Sequence, residues 1–132
     1  MSIYAKLNTP IGSYTFQDIL PGRSKNFFVG VHEIDIKANV FIGEYQRYLL
    51  YCDQLKIEDN YASDGSTCKL LKSFPMSSGV LKSGYFDNVS YRALRNEDFT
   101  RLTFNLKDDG GNDITLSTPI IIILALKSVP LN

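Results

Sequence analysis

The sequence predicts an all-β domain built as an antiparallel β-sandwich, and three observations carry that expectation. No window of about eleven residues sustains a helical apolar period. Clusters of Gly, Pro, Asn or Asp recur every 8 to 12 residues or so, where backbones must reverse. Eight Tyr and eight Phe, with abundant Ile, Val and Thr, make the composition strand-rich.

In chain order the apolar runs place strands at about Ile3–Leu7, Ser13–Gln17, Asn26–Val31, Asp35–Ile42, Tyr48–Ile57, Thr67–Ser73, Ser90–Leu94, Arg101–Lys107 and Ile120–Lys127. The turns "LPGRSK", "SDGS", "PMSSG", "KSGYFDN" and "DDGGND" fall among them. "EYQRYLLY" and "RNEDFT" are candidate helical turns, but β-formers dominate "YLLYC", which favours strand for its second half. Arg101–Lys107 alternates cleanly, with Leu102, Phe104 and Leu106 on one side and Arg101, Thr103, Asn105 and Lys107 on the other. That is the pattern of a sheet with one dry face. The last two strands, around the glycines of "DDGGND", read as a hairpin whose loop aspartates hydrogen-bond the turn, with a weak calcium site as the lesser alternative. Eight to nine strands at this spacing suit a sandwich of jelly-roll type. No composition shift or repeat divides the 132 residues, so residues 1–132 form a single jelly-roll domain.

Composition narrows the function. Lys plus Arg equals Asp plus Glu at 14 each, which gives no electrostatic reason to expect nucleic acid or an anionic membrane. Zero net charge also removes the self-repulsion that keeps copies apart. "MSIYAKLNTPIGSY" lacks a charged leader followed by an apolar stretch, and the longest apolar run, Pro119–Leu126, is too short to cross a bilayer. The expectation is a protein made in the cytoplasm without a signal peptide and without membrane insertion. Cys52 and Cys68 are too few for a disulfide scaffold or a zinc spacing and read as free thiols, although a single bridge between them stays open.

No reactive constellation stands out. His32 is the one histidine and reads as a strand-edge or loop residue. Glu58, Asp59 and Asp64 form a second acidic cluster, without the EF-hand pattern. No phosphate-binding glycine loop or nucleophile elbow appears, so the expectation is no enzyme, no metal and no cofactor. Asn88–Ser90 fits a glycosylation acceptor but reads as an ordinary Asn before a strand.

Two surfaces remain as candidates. "PIIIILAL" is apolar on both sides: Ile121, Ile123 and Ala125 project one way, Ile120, Ile122, Leu124 and Leu126 the other. The even-numbered set is the candidate oligomer interface, with a homotrimer as the favoured closed ring. Tyr61, Asp64, Tyr85, Phe86 and Asp87 are the candidate ligand- or receptor-binding site, of the kind a carbohydrate- or receptor-binding β-sandwich module carries on its loops.

The segment Tyr48–Lys127 resembles the C-terminal jelly roll of the double jelly-roll capsid proteins of Polinton-like and adintovirus-type DNA viruses. The resemblance lies in the order of "YLLYCDQL", "KLLKSFPM", "YFDNVSYRALRNEDFTRLTFNLKDDGGNDI" and "IIIILALK". Those capsomers carry two rolls, whereas this sequence holds one. The resemblance therefore implies a minor capsid, spike or fibre-head component of a virion, or a domesticated copy. It implies other capsid proteins or a host receptor or glycan as partners, and no catalytic residues.

Overall fold

A computed structural model of the chain describes residues 2–35, 47–56, 69–75, 84–85, 88–108, 110–111 and 119–130. Its elements are β1 (Ser2–Leu7), β2 (Ile11–Leu20), β3 (Lys25–Asp35), β4 (Arg47–Cys52), β5 (Leu70–Pro75), β6 (Gly84–Tyr85), β7 (Arg92–Ala93), β8 (Phe99–Asp108) and β9 (Ile120–Pro130). One sheet has the order β1-β9-β3-β6, with β7 also pairing β3, and the other has the order β2-β8-β4-β5. Every described pairing is antiparallel.

The partners nest: β1 with β9, β2 with β8, β3 with β6 and β7, β4 with β5. A long hairpin rolled onto itself gives this nesting, with β6 and β7 sharing one strand position. The fold is an antiparallel β-sandwich of jelly-roll type, as the strand spacing led one to expect.

The inner faces are filled by the alternation each strand carries. β9 contributes Ile120, Ile122, Leu124 and Leu126; β1 adds Ile3, Ala5 and Leu7; β8 adds Leu102, Phe104 and Leu106. The register sets Ile3 and Val31 on either side of Leu124, and Ala5 and Ile34 on either side of Ile122. Burying such a side chain contributes roughly 1.5–3 kcal/mol.

Two expectations are corrected by the topology. Strands β8 and β9 lie in different sheets, so the segment between them crosses the sandwich and is not a hairpin. The local turn chemistry still holds: the Asp108 carboxylate accepts the Gly110 N–H at 2.9 Å, and Gly111 adopts φ 85°. The break expected after Val31 is also absent, because β3 continues to Asp35 through a bulge. Val31 pairs with Leu124 and Glu33 with Ile123, leaving His32 as an extra residue. The remainder of the expected strand to Ile42, the "EY" end of "EYQRYLLY" and Cys68 lie outside the described residues, while "RYLLYC" is strand.

Candidate functional site

The two faces of β9 have opposite fates. Ile120, Ile122 and Leu124 are 0% exposed and Leu126 is 4% exposed, all packed into the domain's own core. The expected oligomer interface on this face is therefore corrected: a side chain already enclosed between the two sheets has no surface to offer a neighbour. The alternation in "PIIIILAL" was legible, but the outward set is Ile121, Ile123 and Ala125, all half-buried.

On that outer face the register writes out two rows across three strands. Lys6, Ile121 and Asp35 form one row; Tyr4, Ile123 and Glu33 form the next. Tyr4 is 67% exposed, so the apolar centre is edged by polar and charged groups and remains open to solvent. Further along, the chain covers its own sheet. A Cβ at Gly30 would lie 2.7 Å from Ser90 O and also against the Val89 side chain, so only glycine admits that crossing. Beside it, Lys127 Nζ stands 4.1 Å from the Tyr91 ring centroid and 5.7 Å from that of Phe28, an arrangement of cation–π type. The outer face of the isoleucine strand is thus half-buried between Tyr4, Lys6, Glu33 and Asp35 at one end and lies near the segment before β7 at the other.

Tyr61, Asp64, Phe86 and Asp87 lie outside the described residues, and Tyr85 sits in β6 with its backbone paired to Glu33. Asp59, Asp109 and Asp113 also lie outside them. Among the described residues, no group of three or more His, Cys, Asp and Glu side chains could hold a metal ion. Asn88 is exposed at a bend, and His32 is half-buried at the β3 bulge.

Two buried polar groups tie the far end of the sandwich. Burial pushes the Cys52 thiol up to about 12, so it is a neutral S–H at physiological pH. It donates to Gln54 Oε1 at 3.7 Å, and the same oxygen accepts the Thr103 N–H at 2.7 Å. Arg92, 5% exposed, was not foreseen as a core residue. Its guanidinium donates to Leu70 O and, at 3.4 Å, to Lys56 O, linking β7 of one sheet to β5 and the turn after β4 in the other. An Arg between apolar neighbours, "YRAL", is the only trace of this in the sequence.

No family model matches the chain, and no curated protein matches it. Among solved structures it is similar to a recombinantly expressed latent aurone synthase, a polyphenol oxidase, at 11% identity and a TM-score of 0.36. That likeness covers 99% of this chain but only 24% of the other, so the chain spans about a quarter of its length.

Proposed function

We propose that this chain is a non-enzymatic structural subunit, a single jelly roll of viral or virus-derived origin that assembles as a homo-oligomer in a capsid, spike or fibre head. The carrying observation is the nested pairing of β1 with β9, β2 with β8, β3 with β6 and β7, and β4 with β5, closed over a core made of its own side chains. Jelly rolls of this size serve as capsid and lectin domains, and a fold alone leaves function open. The order of motifs from Tyr48 to Lys127 turns the choice toward the capsid group. In this reading the chain is made in the host cytoplasm and ends in a virion, and attachment to a host receptor or glycan falls to its loops.

The test is co-fractionation. Particles are banded by density from the producing cells, treated with nuclease and analysed by mass spectrometry and negative-stain microscopy. The chain is expected in the nuclease-resistant band in fixed ratio to other shell proteins. A chain found only in particle-free fractions overturns the reading.

A further inference from the structure

Each outermost strand of a sheet presents N–H and C=O groups with no ladder partner, and natural sheets blunt such edges. Among the described residues, three of the four sheet edges are blunted. The β6/β7 edge is broken into two-residue pieces. Strand β5 carries Lys72, Pro75 and a register shift that leaves Leu71 as an extra residue. Strand β1 is six residues long and holds Lys6. Strand β2 differs in its first half: Ile11–Thr15 pairs β8 without interruption and Ile11–Gln17 contains no Lys, Arg, Asp, Glu or Pro, while its register irregularity falls between Thr15 and Leu20, where Asp18 also lies.

The hydrogen-bond phase says which groups that edge offers. Pro10 O accepts the Leu106 N–H at 2.8 Å, and the register continues as Gly12 opposite Phe104 and Tyr14 opposite Leu102. Antiparallel ladders alternate bonded and non-bonded pairs. Gly12 and Tyr14 therefore direct their backbone groups to β8, while Ile11, Ser13 and Thr15 direct theirs away from the sheet. The other side of β8 agrees, since Thr103 O accepts the Asp53 N–H at 3.1 Å. Among the described residues nothing pairs with the outer edge of β2, although the Thr9 hydroxyl donates to Ile11 O at its start. The side chains fit an unfinished sheet. Ile11 is 52% exposed, while Tyr14 and Phe16 are half-buried against the core with ring centroids 5.3 Å apart, edge to face.

We propose that β2 is the edge through which two copies of this chain pair, antiparallel about Ser13, joining two four-stranded sheets into one continuous sheet. Ser13 then faces Ser13 of the second copy, and Ile11 faces its Thr15. These rows exchange about six N–H···O bonds through the outward-directed groups. On the inner face Gly12 faces Tyr14 of the second copy, and the place a side chain at Gly12 would take is already filled by Leu7 of the same chain. No charge meets a like charge in any row, and zero net charge leaves no long-range repulsion between copies. A second copy satisfies every row of the edge by symmetry. The contact is small for an interface, which sets the expected affinity in the micromolar range. The pairing deepens the assembly reading and rests on it for its biological use.

The test is sedimentation velocity of the purified chain over about 1–200 µM, a range that brackets micromolar affinity. A reversible dimer is expected. Ser13→Pro removes an N–H that points away from the sheet, which an edge strand tolerates, so the melting temperature holds while association weakens at least tenfold. Ser13→Lys, which places a charge on the edge, gives the same loss without touching the backbone. In a Cys68→Ser background, Ser13→Cys forms a disulfide-linked dimer under mild oxidation and Thr15→Cys does not. A monomer throughout the range, a trimer, association unchanged in both Ser13 variants, or cross-linking through Thr15→Cys instead overturns the proposal. A monomer leaves the particle co-fractionation test of the assembly reading to stand or fall separately.

Discussion

Ile34 of β3 lies opposite Ile122 of β9 because the strand holds His32 as one residue too many. Were the register of Lys25–Val31 continued without that offset, Glu33 would face Ile122 inside the core and Ile34 would point to solvent. The bulge thus decides which of two neighbours is buried. Ile34→Ala should cost about 2–4 kcal/mol, the range for truncating a buried aliphatic side chain. Glu33→Ala should stay within about 0.5 kcal/mol, as for other surface changes. Urea unfolding of both variants checks this, and a loss below about 0.5 kcal/mol for Ile34→Ala together with a gain for Glu33→Ala, which would then remove a buried carboxylate, would mean the straight register.

The same alternation makes adjacent lysine substitutions on β9 diverge. Ile122 is 0% exposed between Ala5 and Ile34, so Ile122→Lys puts an unpaired ammonium where no water reaches and should abolish folding. Ile123 faces outward between Tyr4 and Glu33, and Ile123→Lys should keep the native far-UV spectrum and a cooperative melt. Circular dichroism of the two purified proteins decides. A folded Ile122→Lys would reverse the assignment of the faces.

Strand periodicity made most of this architecture legible. Arg101–Lys107 and "PIIIILAL" alternate so regularly that their inward and outward sets could be separated by position alone. Periodicity does not say which set is inward when both are apolar, and Ile120 and Ile121 differ only in what the fold lays against them. His32 was misread for a related reason: a single inserted residue breaks alternation just as a strand end does. The crossing between β8 and β9 hid behind glycine-rich turn chemistry, which marks a reversal without saying which sheet the chain enters next. Arg92 was missed because its acceptors, Leu70 O and Lys56 O, are backbone atoms that any sequence possesses.

Cys52 gives the fold an alkaline limit. Its folded value of about 12 stands above the ordinary 9.0, so above pH 9 the unfolded chain loses this proton first. The stabilisation from the neutral buried thiol is therefore full below about pH 9 and is lost as pH rises towards 12. Stability should decline over that window by on the order of 1 kcal/mol per pH unit, and Cys52→Ala should flatten the decline. Denaturant titrations at pH 7, 9 and 10.5 in both proteins measure it; identical slopes would remove Cys52 from the account. Native Cys52 should also resist thiol reagents until the chain unfolds.

Arg92 should matter out of proportion to its exposure. Around it the sheets are laced by backbone bonds: Leu94 N–H to Phe27 O at 2.9 Å, Lys56 N–H to Ala93 O at 2.8 Å and Arg95 N–H to Gln54 O at 2.9 Å. The guanidinium adds Leu70 O and Lys56 O, so one planar group with several donors reaches both sheets. Arg92→Ala strands those carbonyls and opens a void, at an expected cost of about 2–4 kcal/mol. Arg92→Lys keeps the charge, but a single ammonium cannot reproduce the fork, so part of that loss should remain. Hydrogen exchange locates the effect: the amides of Lys56, Leu94 and Arg95 should lose protection in Arg92→Ala well before those of Phe104 or Leu124. Uniform loss across all five would mean that Arg92 supports the whole sandwich and not this end of it.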